Sequence, residues 1–225
     1  TFGNVWFYPM QPANASYQTS PQLFISPVGT DGFAPSDIEV GREGELYISI
    51  GGRGTKGSVF RVVPTQKNRN RPNIPPSTAT PLGSVLNAPQ PLAEWSRAQW
   101  QPLAKQIGAG RLVEAALNVS RKTKARVRAI EVLTEMFNGL DAETAAQLAE
   151  DGSLDIRART AWAISRFPEK NATKLLTRLA LDSEDYVRVK ALEAMLHILP
   201  IDPLESTKWL KELQQNFLYF QNQKN

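Results

Sequence analysis

The 225-residue chain contains no cysteine. That excludes disulfides, thiolate metal centres, a cysteine nucleophile and covalent haem attachment within these residues, and it leaves the redox compartment open. Histidine is nearly as scarce. His197 is the single one, so a multi-histidine metal site is ruled out. A Ser-His-Asp arrangement around it would have to draw partners from its own helical layer, and a packing or surface histidine is the plainer reading. No run of about 18 apolar residues occurs, so no membrane-spanning helix is expected. Charge of one sign is thin as well. The formal net charge is +4, and much of the excess sits in Lys67-Asn68-Arg69-Asn70-Arg71 and Arg121-Lys122-Thr123-Lys124. A nucleic-acid surface calls for a broader basic face with stacking aromatics, so these charges are read as solvated and no nucleic-acid partner is expected. At Thr1 there is neither an initiator Met nor a signal-like apolar core, and the chain reads as a piece of a longer polypeptide or a processed product.

What is present divides into three stretches: β structure over 1–63, a proline-rich linker over 64–91, and helices over 92–225. In the first, Val5-Trp6-Phe7-Tyr8 and Leu23-Phe24-Ile25 are short, aromatic or branched, and bounded by Pro and Gly. Asp37-Ile38-Glu39-Val40, Glu45 to Ile50 and Ser58 to Val63 predict a three-strand antiparallel meander, turned at Gly41-Arg42-Glu43-Gly44 and at Gly51-Gly52-Arg53-Gly54-Thr55-Lys56-Gly57. So few strands cannot bury both faces alone. Between 64 and 91 stand Pro64, Pro72, Pro75, Pro76, Pro81, Pro89 and Pro91; missing amide donors and fixed φ predict an extended connection.

From Leu92 the periodicity is helical. Leu92 to Trp100 predicts a helix that Pro102 either bends or restarts. Short helices are expected over Arg111–Asn118, Ala142–Glu150 and Ala172–Leu181. Each precedes a longer one, over Lys124–Phe137, Leu154–Phe167 and Asp185–Leu199. Asp141, Ser153, Asn171 and Ser183 are expected to cap them, and Asp202-Pro203-Leu204-Glu205 opens a last helix with Leu210, Leu213, Phe217 and Phe220 on its buried stripe. The longer helices share a phrase: Val127-Arg128-Ala129-Ile130, Ile156-Arg157-Ala158-Arg159 and Val187-Arg188-Val189-Lys190, at offsets 156 − 127 = 29 and 187 − 156 = 31. A repeat near thirty residues with helical patterning predicts stacked helical hairpins, an α-solenoid. Val127, Ile156 and Val187 then face the shared core. Arg128, Arg157 and Arg188 line up one per repeat and bridge to acidic side chains of the neighbouring turns, where Asp151 and Asp182 stand. Exposed ion pairs contribute only about 0–1 kcal/mol each, so apolar burial is expected to carry the stability. The same arginines also invite an anion-binding reading, the structural role being the plainer one.

Phe33 to Ser49, with Pro35-Ser36-Asp37-Ile38-Glu39-Val40-Gly41-Arg42-Glu43-Gly44-Glu45-Leu46-Tyr47-Ile48 at its centre, resembles a blade of the β-propeller in soluble quinoprotein sugar-dehydrogenase-like proteins. Lactonase-type and NHL propellers carry a similar pattern. The helical phrase resembles HEAT repeats: Asp182-Ser183-Glu184-Asp185-Tyr186-Val187-Arg188-Val189-Lys190-Ala191 and Asp151-Gly152-Ser153-Leu154-Asp155-Ile156-Arg157-Ala158-Arg159-Thr160 follow it, whereas Lys122 and Glu131 depart from it in the first unit. Blade, proline-rich linker and HEAT repeats in that order resemble the junction in large exported bacterial proteins of the membrane-bound-dehydrogenase-like type, many of which end in a Cys-x-x-Cys-His cytochrome module that is absent here.

The resemblance implies a periplasmic or extracellular location and, in the parent propeller, a quinone cofactor (PQQ) with calcium. Within this segment no cofactor is expected. Arg53 and Lys56 in the glycine-rich loop are the candidates for meeting quinone carboxylates, against the plainer reading of a strand connection with two solvated bases. Asp31, Asp37, Glu43 and Glu45 are candidate calcium donors, equally explained as turn residues. Trp95, Trp100, Trp162 and Trp209 read as helix-packing residues. The leading expectation is therefore a non-catalytic scaffolding and protein-interaction segment, its partners a protein or neighbouring domains of the same chain. The alternative makes 1–63 part of a PQQ-dependent sugar or alcohol dehydrogenase that uses the 51–57 loop. A lactonase-type propeller needing only a divalent cation is a third.

Overall fold

The computed structural model describes residues 3–29, 32–51, 57–63, 80–200 and 203–222. They form a mixed β plus α protein: small antiparallel sheets precede eight helices. The chain divides into two compact units, one holding 1–13, 17–79 and 89–98, the other 14–16, 80–88 and 99–225.

In the first unit β1 (Val5–Phe7) pairs antiparallel with β4 (Gln22–Ile25). β5 (Pro35–Val40), β6 (Leu46–Ile50) and β7 (Ser58–Val62) form a three-stranded antiparallel sheet with β6 central. Ile38, Ile48 and Phe60 stand opposite one another across it; Ile48 is buried, whereas Ile38 and Phe60 are exposed. Gly41 fits its place because a Cβ there would meet the Tyr47 ring at 2.7 Å. β2 (Gln11–Ala13) and β3 (Ser16–Gln18) pair in a hairpin that the sequence pattern does not announce, with Asn14 at φ 52° in its turn.

The helices are α1 (Pro81–Leu86), α2 (Glu94–Leu117), α3 (Thr123–Met136), α4 (Ala142–Leu148), α5 (Leu154–Arg166), α6 (Ala172–Leu179), α7 (Asp185–Ile198) and α8 (Pro203–Asn222). α1 lies inside the stretch expected to be extended. Pro81 takes the first helical position, where a missing amide costs nothing, and the Thr80 hydroxyl accepts the Gly83 amide at 3.1 Å. α2 keeps Pro102 inside and breaks at Gly108, whose φ is 74°. α5 packs against both α3 and α7, α6 against α5, α7 and α8, and α4 against α5.

The three long helices start at residues 123, 154 and 185, a constant step of 31 (154 − 123 = 185 − 154 = 31). Ile156 and Val187 are fully buried while Val127 is only partly so, the first sign that the phrase at 127 stands in a different register. Asp141 does cap α4, its carboxylate accepting the Thr144 amide at 2.8 Å. Ser153 and Asn171 make no side-chain cap bond, and the cap position of α7 is Glu184 rather than Ser183. Aspartates shape the turns ahead of α5 and α7 instead. Asp151 accepts the Ser153 amide and Asp182 the Glu184 amide, each at 2.9 Å, an aspartate turn that ends at the cap residue. On α8 the packed stripe is Trp209, Leu213 and Phe217, while Leu210 is exposed.

Gly139, at φ 88° after α3, is required twice over, since a Cβ there would also lie 2.9 Å from the Phe167 Cβ. Gly139→Ala is expected to cost about 1–3 kcal/mol, a positive-φ penalty joined by a clash, read as a lower denaturation midpoint at unchanged m-value.

Candidate functional site

Two columns of cations run across α3, α5 and α7, and they do different things. The first is Arg126, Arg157 and Arg188, spaced by the same 31 residues (157 − 126 = 188 − 157 = 31). Arg157 Nε donates to one Asp182 oxygen at 2.7 Å and Nη2 to the other at 2.9 Å, while Nη1 donates to the Asp151 carbonyl at 2.8 Å. Arg126 repeats this one unit earlier, forking onto both Asp151 oxygens and donating Nε to the Ala116 carbonyl at 2.8 Å. Arg188 keeps the backbone bonds, Nη1 to the carbonyls of Asp182 at 2.8 Å and Ser183 at 2.9 Å, but the carboxylate it meets is that of Asp185 on its own helix.

The expected ladder of Arg128, Arg157 and Arg188 is thus corrected in its first rung: Arg126 holds that place. The pairs are also less exposed than expected. The side chains of Arg126 and Asp151 are 5% and 10% accessible, those of Arg157 and Asp182 13% and 11%. Burial works to raise both aspartate carboxyls, yet they end below the ordinary carboxylate range. For Asp151 the Arg126 and Ser153 hydrogen bonds with the Arg126 and Arg157 charges outweigh it; for Asp182 the Arg157 and Glu184 hydrogen bonds with the Arg157 and Arg188 charges do. The Asp182 carboxylate in turn raises Arg157 above its ordinary value.

Arg128 belongs to the second column, with Arg159 and Lys190 (159 − 128 = 190 − 159 = 31). Each lies over an aromatic ring. The Arg128 guanidinium is 4.4 Å from the centre of the Trp100 ring, Arg159 is 5.1 Å from that of Trp162, and the Lys190 ammonium is 5.7 Å from that of Tyr186. Arg166 approaches Trp162 as well, at 5.9 Å. Arg128 is buried, its Nη1 on Glu131 at 3.2 Å, while its Nε and Nη2 have no hydrogen-bond acceptor among the described residues. Stacking on Trp100 is what offsets that deficit. Arg159 and Lys190 are about one-third accessible, and Arg159 also reaches Glu131 at 3.3 Å. The strip they form with the partly exposed Trp162 ring and Tyr186 offers flat apolar faces edged by cations, the composition that side-chain recognition at protein interfaces favours. Nothing in the sequence phrase points to it; a search for cations at the true 31-residue step would have found it.

A cleft of about 640 Å³ opens beside the first column, lined by Glu150, Asp151, Arg157, Arg178, Asp182 and Tyr219 among others. Its charges already answer one another, Arg157 with Asp182 and Arg178 with Glu150, so it is a product of the ladder rather than a separate binding centre. Trp100 is buried and Trp162 and Trp209 are partly so; the Trp95 indole donates to the Val40 carbonyl at 3.2 Å. Arg53, Lys56 and Asp31 lie outside the described residues. Asp37 accepts the adjacent Ile38 amide at 2.8 Å, and among the described residues Asp37, Glu43 and Glu45 form no group that could hold a metal ion. His197 is exposed near the end of α7. Among the described residues no helix is long and apolar enough to cross a membrane.

Comparison with family models, with curated proteins and with solved structures returns no match. The class defined by the coordinates alone is a mixed β plus α chain whose helical unit carries a repeated, largely buried arginine–aspartate bridge.

Proposed function

We propose that this chain is a scaffolding and protein-interaction segment: a HEAT-like α-solenoid joined to the edge of a β-propeller in a larger exported dehydrogenase-like protein. The observation that carries the solenoid reading is the constant 31-residue step, shared by helix starts, by Arg126, Arg157 and Arg188, and by Asp151 and Asp182. A unit that repeats its backbone, its packing place and its ion pair at one interval is stabilised mainly by its neighbours, which is how solenoids hold together. The propeller reading is supported by the β5–β6–β7 meander and by the apolar Ile38, Val59 and Phe60 left exposed on it, since a propeller blade buries such faces against the next blade. The partly exposed Arg159–Trp162 and Lys190–Tyr186 pairs on α5 and α7 give the interaction role a surface.

The test is a fragment spanning residues 80–225, expressed alone. It is expected to give a helical far-UV spectrum and one cooperative unfolding transition whose probes coincide. An unfolded or strand-rich spectrum would sink the solenoid reading.

A further inference from the structure

The 31-residue step allows each face of α7 to be compared with the same face of α3 and α5. At 100° per residue, positions 158, 161 and 165 of α5 lie on one arc. Their equivalents are Val127, Ile130 and Thr134 on α3 and Val189, Leu192 and Leu196 on α7. On α3 and α5 this arc is covered: Ile130 and Ala161 are 0% accessible, Thr134 4% and Ser165 7%. On α7 it is open, with Leu192 at 49% and Leu196 at 74%, and Leu199 continues it at 38%. The opposite arc of α7, with Val187, Ala191 and Ala194, is buried just as Ile156 and Ala163 are on α5. α3 and α5 each have a following long helix packed on them. α8, the helix after α7, packs on α6 and is still running at residue 216, where a next long helix would begin (185 + 31 = 216).

The ion-pair column is open at the same end. Arg126 and Arg157 each fork onto an aspartate 25 residues on (151 − 126 = 182 − 157 = 25). The place that corresponds for Arg188 is Leu213, and Arg188 turns back to Asp185 with its side chain 37% accessible.

We infer that the Val189–Leu192–Leu196–Leu199 face of α7, with Arg188 at its edge, is a docking site for an amphipathic helix of a partner protein that carries an aspartate turn just ahead of its first residue. The inference rests on the partner-binding reading above and names the surface and the chemistry. α3 defines the fit. It too presents branched side chains, Val127 and Ile130, and the long helix packed on it is α5, led by the Asp151 turn, whose other arc of Ile156, Thr160 and Ala163 is buried. A second copy cannot dock head to tail in the same way, because the arc it would present on α3, around Val132, is already buried. Helix-in-groove docking of this kind reads side chains at three- and four-residue steps, and residues 189, 192, 196 and 199 supply them.

The probe is a helix-stapled, fluorescein-labelled peptide with the sequence of residues 151–167, titrated with the full chain by anisotropy. Saturable binding is expected, weakened about tenfold or more by Leu196→Asp or Leu192→Asp. Both positions are exposed, so the far-UV spectrum and Tm should not move. Arg188→Gln in the chain and Asp151→Asn in the peptide should each weaken binding several-fold, and together by no more than the larger single effect, because they share one contact. Four results would overturn the inference: no saturable binding, binding indifferent to both leucine substitutions, fully additive Arg188 and Asp151 effects, or self-association of the chain that Leu196→Asp abolishes, which would make a second copy the occupant. None of these touches the fragment-folding test, so the solenoid reading and this one fail separately.

Discussion

Arg157→Ala is expected to destabilise the helical unit by about 3–5 kcal/mol, the range for breaking one side of a buried ion pair. Three consequences converge on this side chain. The Asp182 carboxylate, only 11% accessible, loses both bonds from the guanidinium. The Asp151 carbonyl loses its donor at 2.8 Å. The packing of the arginine stem is lost as well. The cost arises mostly from what is left behind: a carboxylate out of water with the Glu184 amide as its remaining hydrogen-bond donor. Denaturant midpoints for Arg157→Ala, Asp182→Asn and the double variant check it. The double variant should fall short of the sum of the singles by about 0.5–3 kcal/mol, as contacting residues do. Strict additivity, or a loss for Arg157→Ala within the surface range of about 0.5 kcal/mol, would show that the bridge is ornamental. Arg111→Ala supplies the contrast: its pair with Glu114 is about 70% accessible on both sides, and its loss should be hard to measure.

The register of that bridge marks where sequence reading stops. Helix existence and order were legible because apolar periodicity is a local signal: α3 to α8 lie where the pattern puts them, and β5 to β7 form the expected meander. The rung in the first unit was not. Val127-Arg128 copies the dipeptide at Ile156-Arg157, but matching residue types selects a phrase, whereas the fold selects reach. Only from position 126 does a guanidinium meet both Asp151 oxygens. The spacing of Asp151 and Asp182, at 31 residues, held the right register all along. The Ser153 and Ser183 caps failed for a related reason. Asp151 and Asp182 accept the amides of the cap residues Ser153 and Glu184, so an aspartate turn, not a serine hydroxyl, shapes the entry to α5 and α7. Arg128 shows the converse. Its own equivalents are Arg159 and Lys190, each of which meets a ring of its own helix, Trp162 three residues on and Tyr186 four residues back, whereas Arg128 meets Trp100 from α2. Only that last pairing, made by tertiary approach, leaves no local trace.

Acid should unfold the helical unit through the same two aspartates. Both carboxyls have folded values below the ordinary 3.8, so it is in acid, around and below that value, that the folded state binds fewer protons than the unfolded chain. Stability from a depressed group is fully present above the unfolded value and is lost as pH falls through the folded one. The expected profile is flat from neutrality down to about pH 5, then falls from near the ordinary carboxylate value and continues to fall until both aspartates are protonated and the Arg126 and Arg157 forks have lost their charge partners. Asp141, also lowered, chiefly by the Thr144 amide, adds a loss in the same direction from the start of α4. The check is the difference in stability between the unmodified chain and Asp182→Asn as a function of pH. The variant cannot titrate at 182, so the gap between the two curves should be widest at neutrality and close as pH drops toward 2. Raised salt should leave the gap largely intact, because a pair this little exposed is poorly screened. Parallel curves from neutrality to pH 2 would remove Asp182 from the acid response and, with it, the claim that its bridge to Arg157 holds successive long helices together.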